Sequence, residues 1–302
     1  MERRTLLQGV PFEANTVPAR TLRHDLQGLA PGVTLRERYQ IVRWLGAGAS
    51  AQVYEAIDLG TTERVAVKVF SIADASRKML NRFLQEADHT RELEHPNVIR
   101  VLANGVDGDR HFLVTELLEG KDLARVLEAG RPSVASALRW FTHAAFALEY
   151  IHDHQILHRD VKPGNLFITR TGVLKLMDFG LARSARASNS TAQGQVLGTP
   201  EYIAPEQASG SHPLSPTTDL YSLGVVAYEL FTGRVPFQNP EVYGLMMQHV
   251  NDPPPSPRVW RPELPDPIER VVLKLLEKAP SKRIQSAIEL REELIPLWEK
   301  IA

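Results

Sequence analysis

Apolar residues in the first part of the chain come in short β-branched runs, at 39–45, 51–59, 65–70, 98–102 and 111–117. Runs of that length bounded by Gly, Pro and Asn predict strands. The first two are joined across Gly46-Ala47-Gly48, which predicts a hairpin with a glycine-rich turn. Among these strands, 76–93 has helical spacing, with Met79, Phe83 and Ala87 on one face and a break at His95-Pro96-Asn97. After Gly120 the period becomes helical. Residues 134–152 repeat Leu138, Phe141, Ala145, Leu148 and Ile151 along one face, and 219–232, 267–277 and 288–301 read similarly. Residues 1–36 hold scattered Gly and Pro with no period, so they are expected to form an N-terminal extension that docks loosely, if at all. Residues 253–267 are proline-rich between helical segments and predict a rigid surface loop. The organisation expected is an extension (1–36), a small antiparallel β lobe with one main helix (37–120) and a larger helical lobe (121–302). That is an α+β architecture.

Composition narrows the function. The 302 residues suit two lobes, and 43% apolar with 24% charged residues is ordinary for a globular chain. Thirty-five Lys and Arg against 36 Asp and Glu give a net charge of −1, so no global basic field draws nucleic acid or an anionic membrane. The count of Cys is 0, which excludes disulfides, thiolate nucleophiles and Cys-ligated metals. The apolar part of the N-terminus is too short for a signal-peptide core, and no window approaches 18 consecutive apolar residues. The expectation is a cytoplasmic protein with no membrane span.

Three segments carry chemistry. Gly46-Ala47-Gly48-Ala49-Ser50-Ala51-Gln52-Val53 places two glycines between strands. Such a turn either merely needs positive φ or lets backbone N–H groups cradle a phosphate. A strand follows it rather than a helix, which argues against a dinucleotide fold. In Val65-Ala66-Val67-Lys68-Val69, alternation puts the valines on one face and Lys68 with Ala66 on the other. Lys68 is either on a solvated face or paired, and Glu86 in the following helix is a candidate partner. The third segment is His158-Arg159-Asp160-Val161-Lys162-Pro163-Gly164-Asn165, followed by Asp178-Phe179-Gly180. Two carboxylates and an amide carbonyl suit Mg²⁺, a hard cation that shares oxygen ligands with substrate phosphates.

In this order, with Ala204-Pro205-Glu206 after them, these segments resemble the protein kinase family, and most closely its bacterial Hanks-type serine/threonine branch. The resemblance runs from about residue 39 to 297. It implies the bilobal kinase fold and transfer of the ATP γ-phosphoryl group to Ser or Thr hydroxyls of proteins, with Mg²⁺, or Mn²⁺ in its place. By position, Gly46, Ala47, Gly48, Ala49 and Ser50 would cover the phosphates, and Val53 and Ala66 would enclose adenine. Lys68 would bind phosphates, held by Glu86. Thr115 would stand at the back of the pocket, Glu116 to Leu118 would present backbone to adenine, and Asp122 would reach the ribose. Asp160 would accept the substrate proton, Lys162 would neutralise γ-phosphate charge, and Asn165 and Asp178 would hold the metal. Lys162 and Gly198-Thr199-Pro200-Glu201-Tyr202 resemble the serine/threonine form.

The sequence departs from the family pattern at Ala51, where a third glycine is usual, and at Ala279, where an acidic residue is usual. Arg283 still stands to brace Glu206. With no catalytic residue missing, a nucleotide-binding pseudokinase scaffold is the weaker reading. A small-molecule phosphotransferase would lack the segment at Ala204. Arg159 before Asp160 implies control by phosphorylation of the activation segment, with Ser188, Ser190, Thr191 and Thr199 as candidates near Arg183 and Arg186. An accessible polar loop without a switch is the alternative. His152, His154 and His158 are read as structural rather than as metal ligands. The resemblance also raises pairing of two copies through the small lobe.

Overall fold

The computed structural model describes residues 28–47, 51–70, 91–178 and 200–301. Its small lobe is a six-stranded antiparallel sheet. The strands are β1 (Thr34–Leu35), β2 (Tyr39–Ala47), β3 (Ala51–Asp58), β4 (Arg64–Phe70), β5 (Val101–Asp107) and β6 (Arg110–Glu116), in the order β1-β2-β3-β4-β6-β5. Alternation sets its faces. Val65 and Val67 are buried with Ile41, Tyr54, Phe112 and Val114 in one core. Ala66 and Lys68 point the other way, opposite Thr115 and Leu113 of β6.

The sheet begins earlier than the sequence predicts. Thr34 and Leu35 pair with β2, Leu35 is fully buried, and the Leu29 N–H donates to the Tyr54 hydroxyl at 2.9 Å. The predicted strand 98–102 is displaced to Val101–Asp107, and Val98 makes a single parallel bridge to Leu176 of the other lobe. The reason is local. The Asn97 amide donates to the Leu174 carbonyl at 2.8 Å, and its own carbonyl accepts from Leu176, so the backbone is taken before a strand can start. Most of the predicted helix 76–93 lies outside the described residues.

The large lobe opens with β7 (Gly120–Asp122), which pairs with β8 (Leu166–Thr169) and β9 (Leu174–Leu176) in a second small sheet. Its helices are α1 (Leu123–Glu128), α2 (Val134–Asp153), α3 (Pro205–Ser209), α4 (Pro216–Thr232), α5 (Val242–Asn251), α6 (Asp266–Leu275) and α7 (Ala287–Ile301). Helix α4 is buried on nearly every side and forms the axis of the lobe, with α2 and α6 packed on it. The apolar pattern does not announce α5, whose only fully buried residues are Leu245 and His249. The proline-rich stretch is pinned to the lobe by buried Arg261, whose guanidinium donates to the Phe231 carbonyl at 3.1 Å.

Candidate active site

A cleft of about 870 Å³ separates the small sheet from the large lobe. Gly46, Ala47, Val53 and Ala66 form its roof, Thr115 to Asp122 its edge, and Met177 and Asp178 part of its floor. Strand geometry delivers Lys68 into it. The Lys68 ammonium stands 2.8 Å from Asp178 Oδ1, joining the two lobes across the cleft.

The floor is built by one loop. Asp160 Oδ2 lies 2.9 Å from Lys162 Nζ, and Asn165 Nδ2 donates to the Asp160 carbonyl at 2.8 Å and to its carboxylate at 3.2 Å. The loop is held from below by Asp219, buried in the first turn of α4. Its carboxylate accepts from the backbone N–H of His158 (2.8 Å) and Arg159 (2.7 Å) and pairs with His152 Nε2 at 2.8 Å. His158 is fully buried. Its Nδ1 accepts from the Asp160 N–H at 3.2 Å, so Nε2 carries the proton and donates to the Met177 carbonyl at 2.8 Å. One imidazole thus ties Asp160 to the residue before Asp178. Arg159 (φ 65°) and Asp178 (φ 57°) both sit in left-handed backbone, which non-glycine residues hold only where the surroundings impose it.

The cleft edge has its own anchor. The Glu116 carboxylate is tied down on both sides: Oε1 accepts from the Arg100 N–H at 2.9 Å and pairs with Lys175 Nζ at 2.8 Å. Asp122 borders the cleft and also caps α1, accepting from the Arg125 N–H at 2.9 Å. Next to the floor, α3 begins at Pro205. Glu206 and Arg283 form a buried two-pronged ion pair with N–O distances of 2.7 and 2.8 Å, and the Thr218 hydroxyl donates to Glu206 at 2.8 Å. Burial pushes the Glu206 carboxyl up, but Arg283 and Thr218 outweigh it and hold the group below the usual carboxylate range. Tyr202 donates to Glu229 Oε2 at 2.6 Å. Burial raises the Glu229 carboxyl, against the effect of that bond.

The cleft therefore gathers Gly46, Ala47, Val53, Ala66, Lys68, Thr115, Glu116, Leu118, Asp122 and Asp178, with Asp160, Lys162 and Asn165 on the adjoining loop. Gly48, Ala49, Ser50, Glu86, Phe179, Ser188, Ser190, Thr191 and Thr199 lie outside the described residues. The rings of His152, His154 and His158 bond to three different partners, Asp219, the Tyr150 carbonyl and the Met177 carbonyl. Sequence reasoning missed Asp219, Lys175 and Gln207. Only Asp219 left a signal, as a single acid opening an apolar helix.

The donor set fits a divalent cation bound with a nucleotide. Asn165 spends its N–H groups on Asp160, which leaves its amide oxygen as an acceptor, and Asp178 offers carboxylate oxygens at the cleft floor. No group of three or more His, Cys, Asp or Glu capable of caging a metal alone occurs among the described residues.

Comparison with known proteins agrees with this geometry. The protein kinase domain family matches residues 39–294. Serine/threonine-protein kinase PknA of Mycobacterium tuberculosis is 40% identical over 262 residues, covering 84% of this chain and 60% of the relative. Serine/threonine-protein kinase PrkC of Bacillus subtilis is 33% identical, covering 87% of this chain and 41% of the relative. The DNA damage-responsive serine/threonine-protein kinase RqkA of Deinococcus radiodurans is 39% identical over 269 residues, 87% of this chain and 40% of that one. The chain thus spans between about two-fifths and three-fifths of the length of these relatives. The crystal structure of the PknI kinase domain of M. tuberculosis superposes with a TM-score of 0.71 at 28% identity, covering 88% of this chain and 98% of that one. No helix among the described residues is long and apolar enough to cross a membrane. With the family matched over most of its length and the lobes, cleft and charged loop in the family's arrangement, this chain belongs to the protein kinase family, in the branch of bacterial serine/threonine kinases.

Proposed function

We propose that this chain transfers the γ-phosphoryl group of ATP to Ser or Thr hydroxyls of protein substrates. The observation that carries the reading is the convergence of Lys68 and Asp178 at 2.8 Å, beside a loop that holds Asp160 between Lys162 and Asn165. Asp160 orients the hydroxyl and accepts its proton, while Lys162 offsets the charge that builds on the transferred group. Lys68 aligns the non-transferred phosphates. Asn165 and Asp178 hold the cation, for which we propose Mg²⁺, with Mn²⁺ accepted by the same oxygens. When bound, that cation withdraws charge from the phosphate oxygens. The backbone of Glu116 to Leu118 meets adenine, and Val53 and Ala66 cover it. Most of the rate comes from holding the groups in line.

Activation-segment phosphorylation at Ser188, Ser190 or Thr191 belongs to the same proposal, as do a cytoplasmic site of action and pairing of copies through the small lobe. Mass spectrometry of the purified chain incubated with Mg-ATP tests the reading. Added phosphate in the wild type and none in Asp160→Asn is the expected result. Equal phosphate in both removes Asp160 from its role, and none in either with intact ATP binding favours the pseudokinase scaffold.

A further inference from the structure

Arg159 precedes Asp160 in left-handed backbone, and side chains from two elements hold it there. Asp219 Oδ1 accepts its N–H at 2.7 Å, and Gln207 Nε2 donates to its carbonyl at 2.9 Å. That carbonyl belongs to the same peptide unit as the Asp160 N–H, which donates to His158 Nδ1 at 3.2 Å. The plane of the peptide entering Asp160 is therefore fixed at both ends, by Gln207 at the oxygen and His158 at the nitrogen. The amide of Gln207 has one workable orientation. Its own oxygen accepts the Ala204 N–H at 3.0 Å, so a flipped amide would face donor to donor there and acceptor to acceptor at Arg159.

The far side of Gln207 is as well anchored. Ala204 is fully buried, Tyr202 is tied to Glu229, and Glu206 is tied to Arg283. Gln207 is thus a side-chain link running from the Ala-Pro-Glu segment to the catalytic loop. One ion pair, Glu206–Arg283, and the Tyr202–Glu229 hydrogen bond hold that segment to the rest of the large lobe, whereas this neutral amide connects it to the peptide of the reacting aspartate.

We propose that Gln207 is a positioning residue for phosphoryl transfer, which sets the Arg159–Asp160 peptide plane only when the segment at Ala204 is seated. The proposal rests on Asp160 being the residue that orients the hydroxyl. Gln207 touches no substrate, so its loss acts on turnover rather than on ATP affinity. Misplacing a reacting group by about 1 Å costs about a hundredfold in rate.

Two substitutions separate positioning from mere packing. Gln207→Glu keeps the shape and the acceptor for Ala204 but at pH 8 sets a carboxylate against the Arg159 carbonyl. Protonation at lower pH restores a donor, and an acid facing a carbonyl titrates above the usual carboxylate range. Gln207→Met keeps bulk and loses both bonds at every pH. The experiment measures kcat and KM on a threonine peptide with the full chain at pH 8 and pH 6, beside Asp160→Asn. Expected are a fall of about tenfold or more in kcat for both variants at pH 8, KM for ATP within about twofold of wild type, and a ratio of Gln207→Glu to wild type that rises severalfold at pH 6 while that of Gln207→Met stays flat. Wild-type kcat in Gln207→Glu at pH 8, a loss that does not recover at pH 6, or a loss confined to the peptide KM overturns the proposal. Asp160→Asn with wild-type kcat would instead overturn the reading of Asp160, and the Gln207 pH ratios would identify which of the two had failed.

Discussion

Lys162 and Asn165 hold the Asp160 carboxylate in place, which makes its replacement the cleanest test at the residue scale. Asp160→Asn keeps the shape and loses the carboxylate that we propose accepts the proton. Its kcat is expected to fall by about 10²–10⁴-fold with ATP affinity nearly unchanged, measured by steady-state kinetics beside calorimetric titration. Glu206→Ala tests a different kind of residue. It strands the Arg283 guanidinium in a site where both partners are almost fully buried. Breaking one side of such a pair costs about 3–5 kcal/mol, so the unfolding midpoint in urea is expected to drop sharply. The charges of both sites were visible in the sequence because their residues come in short fixed strings. Gln207 and Lys175 were not, because a single amide or lysine has no pattern until a distant carbonyl or carboxylate meets it.

Elements were legible in proportion to how much apolar surface they bury. Helices α2, α4, α6 and α7 stand close to where their periodicity placed them, and β2 and β3 pair as expected, with Gly46 and Ala47 inside the ladder opposite Val53 and Gln52 rather than in the turn. Helix α5 buries little and left no stripe, while β7 to β9 are three or four residues each, too short for alternation to register. Gly120 shows what such short strands require. Its φ is +155°, and a Cβ there would stand 2.0 Å from the Ile168 carbonyl oxygen of β8. Gly120→Ala must break the β7–β8 pairing or bend it. A loss of about 2 kcal/mol or more is expected, with faster amide exchange at Asp122 and Thr169 by hydrogen-exchange mass spectrometry.

At the scale of the molecule, acid is the vulnerable side. Burial, aided by Arg139 for one and Lys278 for the other, pushes His143 and His249 down to about 4. In the unfolded chain they titrate near 6.5, so between those values the unfolded state binds more protons and stability falls as pH falls. Glu206 adds to this. Its folded value is depressed, so its contribution is present above the unfolded carboxylate value and disappears as pH drops below it. The thermal midpoint is expected to decline from pH 7 toward pH 4, and His249→Gln should flatten the upper part of that slope in calorimetry.

The anchoring of Glu116 has a mechanical consequence. Its carboxylate joins the end of β6 to Arg100 and to Lys175 on β9, and Gly120 is already paired with β8. Glu119 is held as well, its carbonyl accepting from the Arg170 N–H at 2.9 Å, so only Leu117 and Leu118 remain between the two clamps. If the lobes swing apart, the axis of rotation passes through that two-residue stretch. Atoms on an axis scarcely move, whereas Gly46, at the far end of the lever, sweeps the widest arc. Opening would thus expose the end of the cleft at Gly46 while the edge at Leu118 keeps its shape, so that the nucleotide we propose would enter base first against a fixed wall, with the roof descending on its phosphates afterwards.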